Sequence, residues 1–125
     1  MNVLDYKELI DNSPMHIATV NKDNNPNLAV VSNVRVLDEN RIIISANEMT
    51  NTQNNLRYND NVVLTVFNEK WVGIRMFGKG VFYDSGEYYD FCFKTFFPNG
   101  KVSPAGAVKP KGAIVINVHK IEEYK

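Results

Sequence analysis

The residues most able to do chemistry lie at 45–56, where an apolar run ends and a polar, helix-forming stretch begins. Thr50 and Gln53 have the spacing of a capping box with Thr50 as the N-cap. A helix start offers free backbone N–H groups and the positive end of the dipole, which together favour a phosphate. Thr50, Asn51, Thr52 and Asn55 would add hydroxyl and amide donors. The pattern indicates a phosphate-holding helix start, but a well-capped surface helix without a ligand explains the same residues.

The other chemistry-bearing residues favour structural roles. His16 and His119 are the only histidines, and neither stands in a cluster of cysteines or carboxylates. The single Cys92 excludes an internal disulfide and any metal site built from several thiolates, and its aromatic surroundings favour a buried, inert thiol. Arg35 and Arg75 lie within expected strands, either on a wet face or paired with an anion. We therefore assign no catalytic residue and no metal site.

The elements that must position the helix start are mostly short strands. Runs rich in Val and Ile, separated by clusters of Asn, Asp and Pro, are typical of a β-meander. The expected elements of this half are a helix at residues 3–12, strands at 15–20, 28–37 and 41–45, and a helix at 49–58.

The second half continues the β pattern and adds an aromatic helix. We expect strands at residues 62–67, 71–83 and 112–118, a helix from Ser85 to about 97, a loop at 98–111, and a polar tail at 120–125. Glycines within the second of these strands indicate bulges or a close approach by another group. The helix is aromatic on more than one face, which favours burial against a partner subunit. About six strands with short helices predict a mainly β fold, a small β-barrel.

Length and composition favour one domain over residues 1–125. Fourteen Lys and Arg balance fourteen Asp and Glu, which disfavours nucleic acid or an anionic membrane as a partner. The chain has no apolar run long enough for a spanning helix and no secretory leader pattern, so we expect a cytoplasmic protein without a membrane partner.

The succession of motifs from residue 15 to about 83 resembles a known family. The matching stretches are 17–20 with the polar turn before Pro26, then 37–44, 49–56, and the strand with Gly78 after Trp71. Together they resemble the pyridoxamine 5′-phosphate oxidase-like FMN-binding split barrels, and are most similar to the small bacterial FMN-binding proteins.

The resemblance implies a six-stranded split barrel that forms a homodimer with FMN at the interface. It places the phosphate against the helix starting near Thr50. The candidates to cover the flavin ring come from the partner subunit and are Trp71 and the loop around 102–109. The implied FMN-binding residues are Ser32, Asn33, Val34, Ser45, Ala46, Asn47, Met49, Thr50, Asn51, Thr52, Asn55 and Trp71.

One position departs from the family pattern. Several members carry a basic residue just inside the phosphate-binding helix, where this chain has Asn51, and the next Lys or Arg is Arg57. The phosphate would then depend on backbone N–H groups, hydroxyls and amides, with Arg35 or Arg75 as candidate cations. Because charge-assisted hydrogen bonds are the stronger ones, we expect weaker FMN binding than in lysine-bearing relatives.

The function that the resemblance implies follows from the cofactor, since flavin chemistry belongs to the flavin. The expected pocket has no obvious general acid or base, which favours an electron carrier or a flavin reductase-like oxidoreductase with an unidentified small redox partner over pyridoxamine phosphate oxidation. A flavin-binding module without turnover, a cofactor-free dimeric barrel, and a related barrel for a deazaflavin or haem are the alternatives. Two histidines without an axial-ligand motif make haem the least favoured.

Overall fold

A computed structural model describes residues 2–103 and 106–124. Within these residues, seven strands form one antiparallel sheet, and short helices pack against it. The strands are β1 (Met15–Val20), β2 (Pro26–Val31), β3 (Val34–Val36), β4 (Arg41–Ala46), β5 (Asn61–Phe67), β6 (Gly73–Tyr83) and β7 (Gly112–Glu123). The helices are α1 (Lys7–Asn12), α2 (Thr50–Tyr58) and α3 (Glu87–Phe96), with 3₁₀ turns at Val3–Tyr6 and Pro98–Gly100.

The sheet is curled into a half-barrel, as its strand order requires. The order is β2-β1-β5-β6-β7-β4-β3, so β2 and β3 lie at opposite edges. Yet only Ser32 and Asn33 separate these two strands in the chain. Two residues cannot cross a flat seven-stranded sheet with strands about 4.8 Å apart, and the sheet must therefore curl until its edges approach each other.

The core fills the inside of this curl. In β5, Val62, Leu64 and Val66 are buried, and the residues between them are more exposed. This period of two places one face of the strand on the core. β4 is buried on both faces: Ile42 and Ile44 belong to the main core, and Ile43 belongs to a second cluster with Cys92, Phe96 and Phe97. The helix α3 therefore packs on the outer face of the sheet. No helix in the described part of the chain is both long enough and apolar enough to span a membrane.

The structure confirms the mainly β class but corrects the strand count from six to seven. The expected strand at 28–37 is two strands, because the chain leaves one sheet edge at Ser32 and joins the other at Val34. The expected tail is wrong as well. β7 continues to Glu123 and pairs with β6, with Glu123 opposite Ile74. Residue 125 of that tail lies outside the described residues.

Three local expectations also change. The N-cap of α2 is Met49 and makes no side-chain cap bond, so the capping box on Thr50 is wrong. The N-cap of α3 is Gly86, whose φ of +92° suits glycine, instead of Ser85. Trp71 belongs to the turn before β6, with a φ of +62°, instead of opening the strand.

The expected bulge in β6 is confirmed. The pairing with β7 shifts register between Phe77 and Gly78. A Cβ added to Gly78 would lie 2.2 Å from the carbonyl oxygen of Asn117, so only glycine permits this approach.

Candidate functional site

A cleft of about 410 Å³ lies where the sheet edges approach each other. Its walls are β2, the link between β2 and β3, the end of β4 and the first turn of α2. Residues 27–33 form one side, and the other side is formed by Ser45, Asn47, Glu48, Met49, Thr50, Asn51, Thr52 and Ser103.

The first turn of α2 presents backbone donors to this cleft. Its first helical bond runs from the N–H of Gln53 to the carbonyl of Met49, at 2.9 Å. The N–H groups of Thr50, Asn51 and Thr52 precede that bond, and such groups are those that a helix start offers to a ligand. The three residues all line the cleft. This turn can therefore receive an anion through its N–H groups and dipole.

Thr52 brings an unpaired polar group to the wall of the cleft. The residue is only 1% exposed, and its hydroxyl oxygen is buried without a hydrogen-bond partner among the described residues. Leaving a buried hydroxyl unpaired costs about 1–3 kcal/mol, and native proteins seldom accept that cost without a reason. An acceptor oxygen in the cleft, such as one from a phosphate group, would satisfy the hydroxyl.

A lysine from a distant part of the chain reaches the same helix start. The ammonium nitrogen Nζ of Lys111 donates a hydrogen bond to the hydroxyl of Thr50 at 2.8 Å. Lys111 precedes β7, which pairs with β4 so that Gly112 lies opposite Ala46. Sequence analysis missed this residue because only the pairing of β4 with β7 brings it to α2. A local pattern in the sequence carries no signal of that pairing.

The predicted site residues divide into two groups. Those that line the cleft are Ser32, Asn33, Ser45, Asn47, Met49, Thr50, Asn51 and Thr52. Within this set the hydroxyl of Ser45 donates to Oδ1 of Asn47 at 2.9 Å, which fixes the two side chains together at the end of β4.

The other four predicted residues do not line the cleft. Val34 and Ala46 are fully buried in the main core, because they occupy the core-facing positions of β3 and β4. Asn55 lies on the inner side of α2, where its amide donates to the hydroxyl of buried Thr19 at 3.0 Å. Trp71 is 77% exposed in the turn between β5 and β6 and stacks on Phe67.

The loop at 98–111 also reaches the cleft of its own chain. Ser103 lines the cleft and accepts a hydrogen bond from the N–H of Ala107 at 2.9 Å. Pro104 and Ala105 of this loop lie outside the described residues.

The two arginines considered as phosphate partners have other contacts. The guanidinium of Arg35 lies 4.8 Å from the ring centroid of Phe96 and donates to the carbonyl of Val34. The guanidinium of Arg75 forms an ion pair with Glu122 at 3.3 Å. Neither residue lines the cleft.

Nucleophilic and metal chemistry have little support in the described part of the chain. Burial raises the pKa of the Cys92 thiol to about 12, which keeps it protonated and unreactive. No group of three or more His, Cys, Asp or Glu side chains among the described residues is placed to hold a metal ion.

Comparisons with known proteins agree with this fold. A profile of the pyridoxamine 5′-phosphate oxidase family matches residues 5–125. An uncharacterised protein of Methanocaldococcus jannaschii is 32% identical over 118 residues, covering 93% of this chain and 76% of that protein. HupZ of Group A Streptococcus superimposes with a TM-score of 0.84 at 24% identity, covering 98% of this chain and 94% of HupZ. An FMN-binding protein of Syntrophomonas wolfei subsp. wolfei superimposes with a TM-score of 0.74 at 22% identity, covering 89% and 76% of the two chains.

The curled antiparallel sheet and its short helices define the protein as a split barrel of the pyridoxamine 5′-phosphate oxidase-like type. The match over nearly the whole sequence shows that the chain belongs to the pyridoxamine 5′-phosphate oxidase family. The resemblance seen in the sequence motifs is thereby confirmed.

Proposed function

We propose that the protein is an FMN-binding flavoprotein whose cofactor occupies the cleft at the start of α2. The hydroxyl of Thr52 carries this proposal, because Thr52 lines the cleft and its buried hydroxyl has no hydrogen-bond partner among the described residues. A phosphate oxygen supplies such an acceptor, and the N–H groups of the first helical turn supply further donors. The FMN-binding protein of Syntrophomonas wolfei, which shares the fold, supports the choice of FMN.

The remaining cleft residues suit the uncharged part of the cofactor. Ser32, Asn33 and the linked pair Ser45 and Asn47 present hydroxyl and amide groups, which can bind the hydroxyls of a ribityl chain and the polar edge of a flavin ring. Val34 and Ala46 would support this wall from the core. Asn55 would hold α2 in position through its bond to Thr19.

When bound, FMN supplies hydride and electron transfer, and the protein supplies binding and orientation. Among the described residues that line the cleft, Glu48 is the one with a carboxylate, and it is exposed. This lining favours an oxidoreductase or electron-transfer protein with a small redox partner over chemistry that needs a buried acid or base. A flavin-binding module without turnover is the alternative, and steady-state oxidation of reduced nicotinamide would separate the two.

The functional unit in this proposal is a homodimer. The edge strand β2 exposes Leu28 and Val30 by 65% and 64% beside the cleft. Apolar side chains on an unpaired sheet edge favour cover by another protein surface, and a second copy would provide it. Trp71 of that second copy is the candidate for the flavin ring, since its large exposed ring is free to contact another chain.

Sedimentation velocity of the purified protein, monitored at both protein and flavin wavelengths, tests the proposal. We expect a dimer whose flavin absorbance sediments with it, at one FMN per subunit. A monomer that binds FMN would contradict the dimer, and a protein free of flavin after incubation with excess FMN would contradict the cofactor assignment.

A further inference from the structure

The positive charge at the start of α2 belongs to Lys111, which lies outside that helix in the sequence. Lys111 extends its ammonium group to the hydroxyl of Thr50, 2.8 Å away, in the first turn of the helix. Among the described residues, the ion pairs involve other lysines and arginines, and Lys111 has no carboxylate partner. Lys111 itself does not line the cleft, but the hydroxyl that it contacts belongs to Thr50, which does. Its charge therefore lies beside an anion bound at the helix start.

The backbone of this lysine is held in place from three directions. Its N–H donates to the carbonyl of Ala46, at the end of β4, at 2.8 Å. Pro110 is buried, and its carbonyl accepts a hydrogen bond from the hydroxyl of Tyr89 in α3 at 2.9 Å. β7 begins at the next residue, Gly112. The side chain therefore starts from a fixed point beside the cleft.

This arrangement places a positive charge at a helix start. A positive charge at a helix N-terminus is opposed by the helix dipole, which favours negative charge there. The hydroxyl of Thr50 only accepts the lysine's hydrogen bond and does not neutralise its charge. Thr52, two residues further along α2, independently leaves a buried hydroxyl without a hydrogen-bond partner among the described residues. Both features are explained by one anionic group with several acceptor oxygens.

We propose that Lys111 is the phosphate-binding cation of this site and that it selects a phosphorylated flavin over its unphosphorylated form. The inference depends on the proposed function, because the anion is the phosphate of FMN. Within α2, this chain has Asn51 at the position where a basic residue would otherwise bind the phosphate. Lys111, from outside the helix, takes over that role. The ligand class that follows is a phosphate monoester of a flavin, in place of riboflavin or a flavin analogue without phosphate.

The test compares the binding of FMN and riboflavin to the full chain by quenching of flavin fluorescence. The variant is Lys111→Met, and the matched control is Lys101→Met, an exposed lysine in the same connection between α3 and β7. Loss of a charge-assisted hydrogen bond should raise the Kd for FMN about 10- to 100-fold and leave the Kd for riboflavin unchanged. Lys111→Arg should restore most of the selectivity, and Lys101→Met should change neither value.

The results distinguish FMN binding by the protein from the role of Lys111 in that binding. Wild-type protein that binds FMN, combined with a Lys111→Met variant that binds FMN equally well, would overturn the inference and leave the proposed function in place. Equal weakening of FMN and riboflavin would also overturn it, because a structural role for Lys111 affects both ligands. Wild-type protein that binds neither flavin would overturn the proposed function and the inference with it.

Thermal unfolding without flavin supplies a second measurement. Since the lysine opposes the helix dipole, Lys111→Met should unfold at the same or a slightly higher temperature than wild type. A clear loss of stability would instead show that Lys111 is a structural part of the helix start, and would contradict its assignment as a phosphate ligand.

Discussion

The substitution Thr52→Val tests whether the Thr52 hydroxyl binds a ligand or has a structural role. If it binds a ligand, the variant should be more stable than wild type but should bind FMN more weakly. Valine has nearly the shape of threonine and is also β-branched, so it fits the same place in α2 at similar helix propensity. The substitution removes a buried hydroxyl that has no partner in the described part of the chain. Because such a group costs about 1–3 kcal/mol, the flavin-free variant should be more stable than wild type by up to that amount. For a domain of this size, each kcal/mol raises Tm by about 4 °C.

The effect of Thr52→Val on FMN should have the opposite sign. A hydrogen bond to a charged acceptor contributes about 1.5–3 kcal/mol, so its loss should raise the Kd for FMN roughly 10- to 150-fold. Urea denaturation of the flavin-free protein and fluorescence titration with FMN measure the two quantities. A variant that is less stable and binds FMN normally would refute the argument, because Thr52 would then be structural.

Thr19→Val is the matched control for the stability measurement. Thr19 is as buried as Thr52, at 1% exposure, but its hydroxyl accepts a hydrogen bond from the amide of Asn55. The substitution leaves that amide unpaired and should destabilise the protein by about 1–3 kcal/mol. Two Thr→Val changes at equal burial are thus expected to shift the free energy of unfolding in opposite directions.

Four further predictions concern Gly78, Cys92 and Asn51. Gly78→Ala places a Cβ 2.2 Å from the carbonyl oxygen of Asn117 and should destabilise the protein by about 1–3 kcal/mol in urea, whereas Lys79→Ala beside it should change little. The Cys92 thiol, with its pKa raised to about 12, should react with a thiol reagent at pH 8 only after unfolding. Its raised folded pKa means that wild type should also lose stability relative to Cys92→Ala as the pH rises above about 9 towards 12. Asn51→Lys adds a cation to the first turn of α2 and should tighten FMN binding several-fold, and an unchanged Kd would contradict the weak-binding hypothesis.

The elements that depend on local pattern could be predicted from the sequence. β1 begins and ends where expected, because its β-branched run is bounded by Pro14 and a polar turn. α2 was placed within one residue, because its polar sequence lies between two apolar runs. One wall of the cleft could be predicted in the same way, since Thr50, Asn51 and Thr52 are adjacent in the chain and share one helical turn.

The features that escaped prediction depend on contacts between distant residues. The break between β2 and β3 follows from closure of the sheet and leaves no composition signal at Ser32 and Asn33. The last strand extends beyond the expected end because β6 offers a pairing partner as far as Ile74. Lys111 reaches α2 only through the pairing of β7 with β4. Burial of the Thr52 hydroxyl without an acceptor is likewise a property of the folded chain alone.

The most direct test of the central claim is the visible absorption spectrum of natively purified protein, with the released cofactor identified by mass. The account predicts a flavin spectrum and the mass of FMN, or the same spectrum after added FMN is bound and unbound flavin is removed. A colourless protein that retains no added FMN would contradict it. Such a result would favour a cofactor-free split barrel, and the cleft at α2 would then need another anion to explain Thr52 and Lys111.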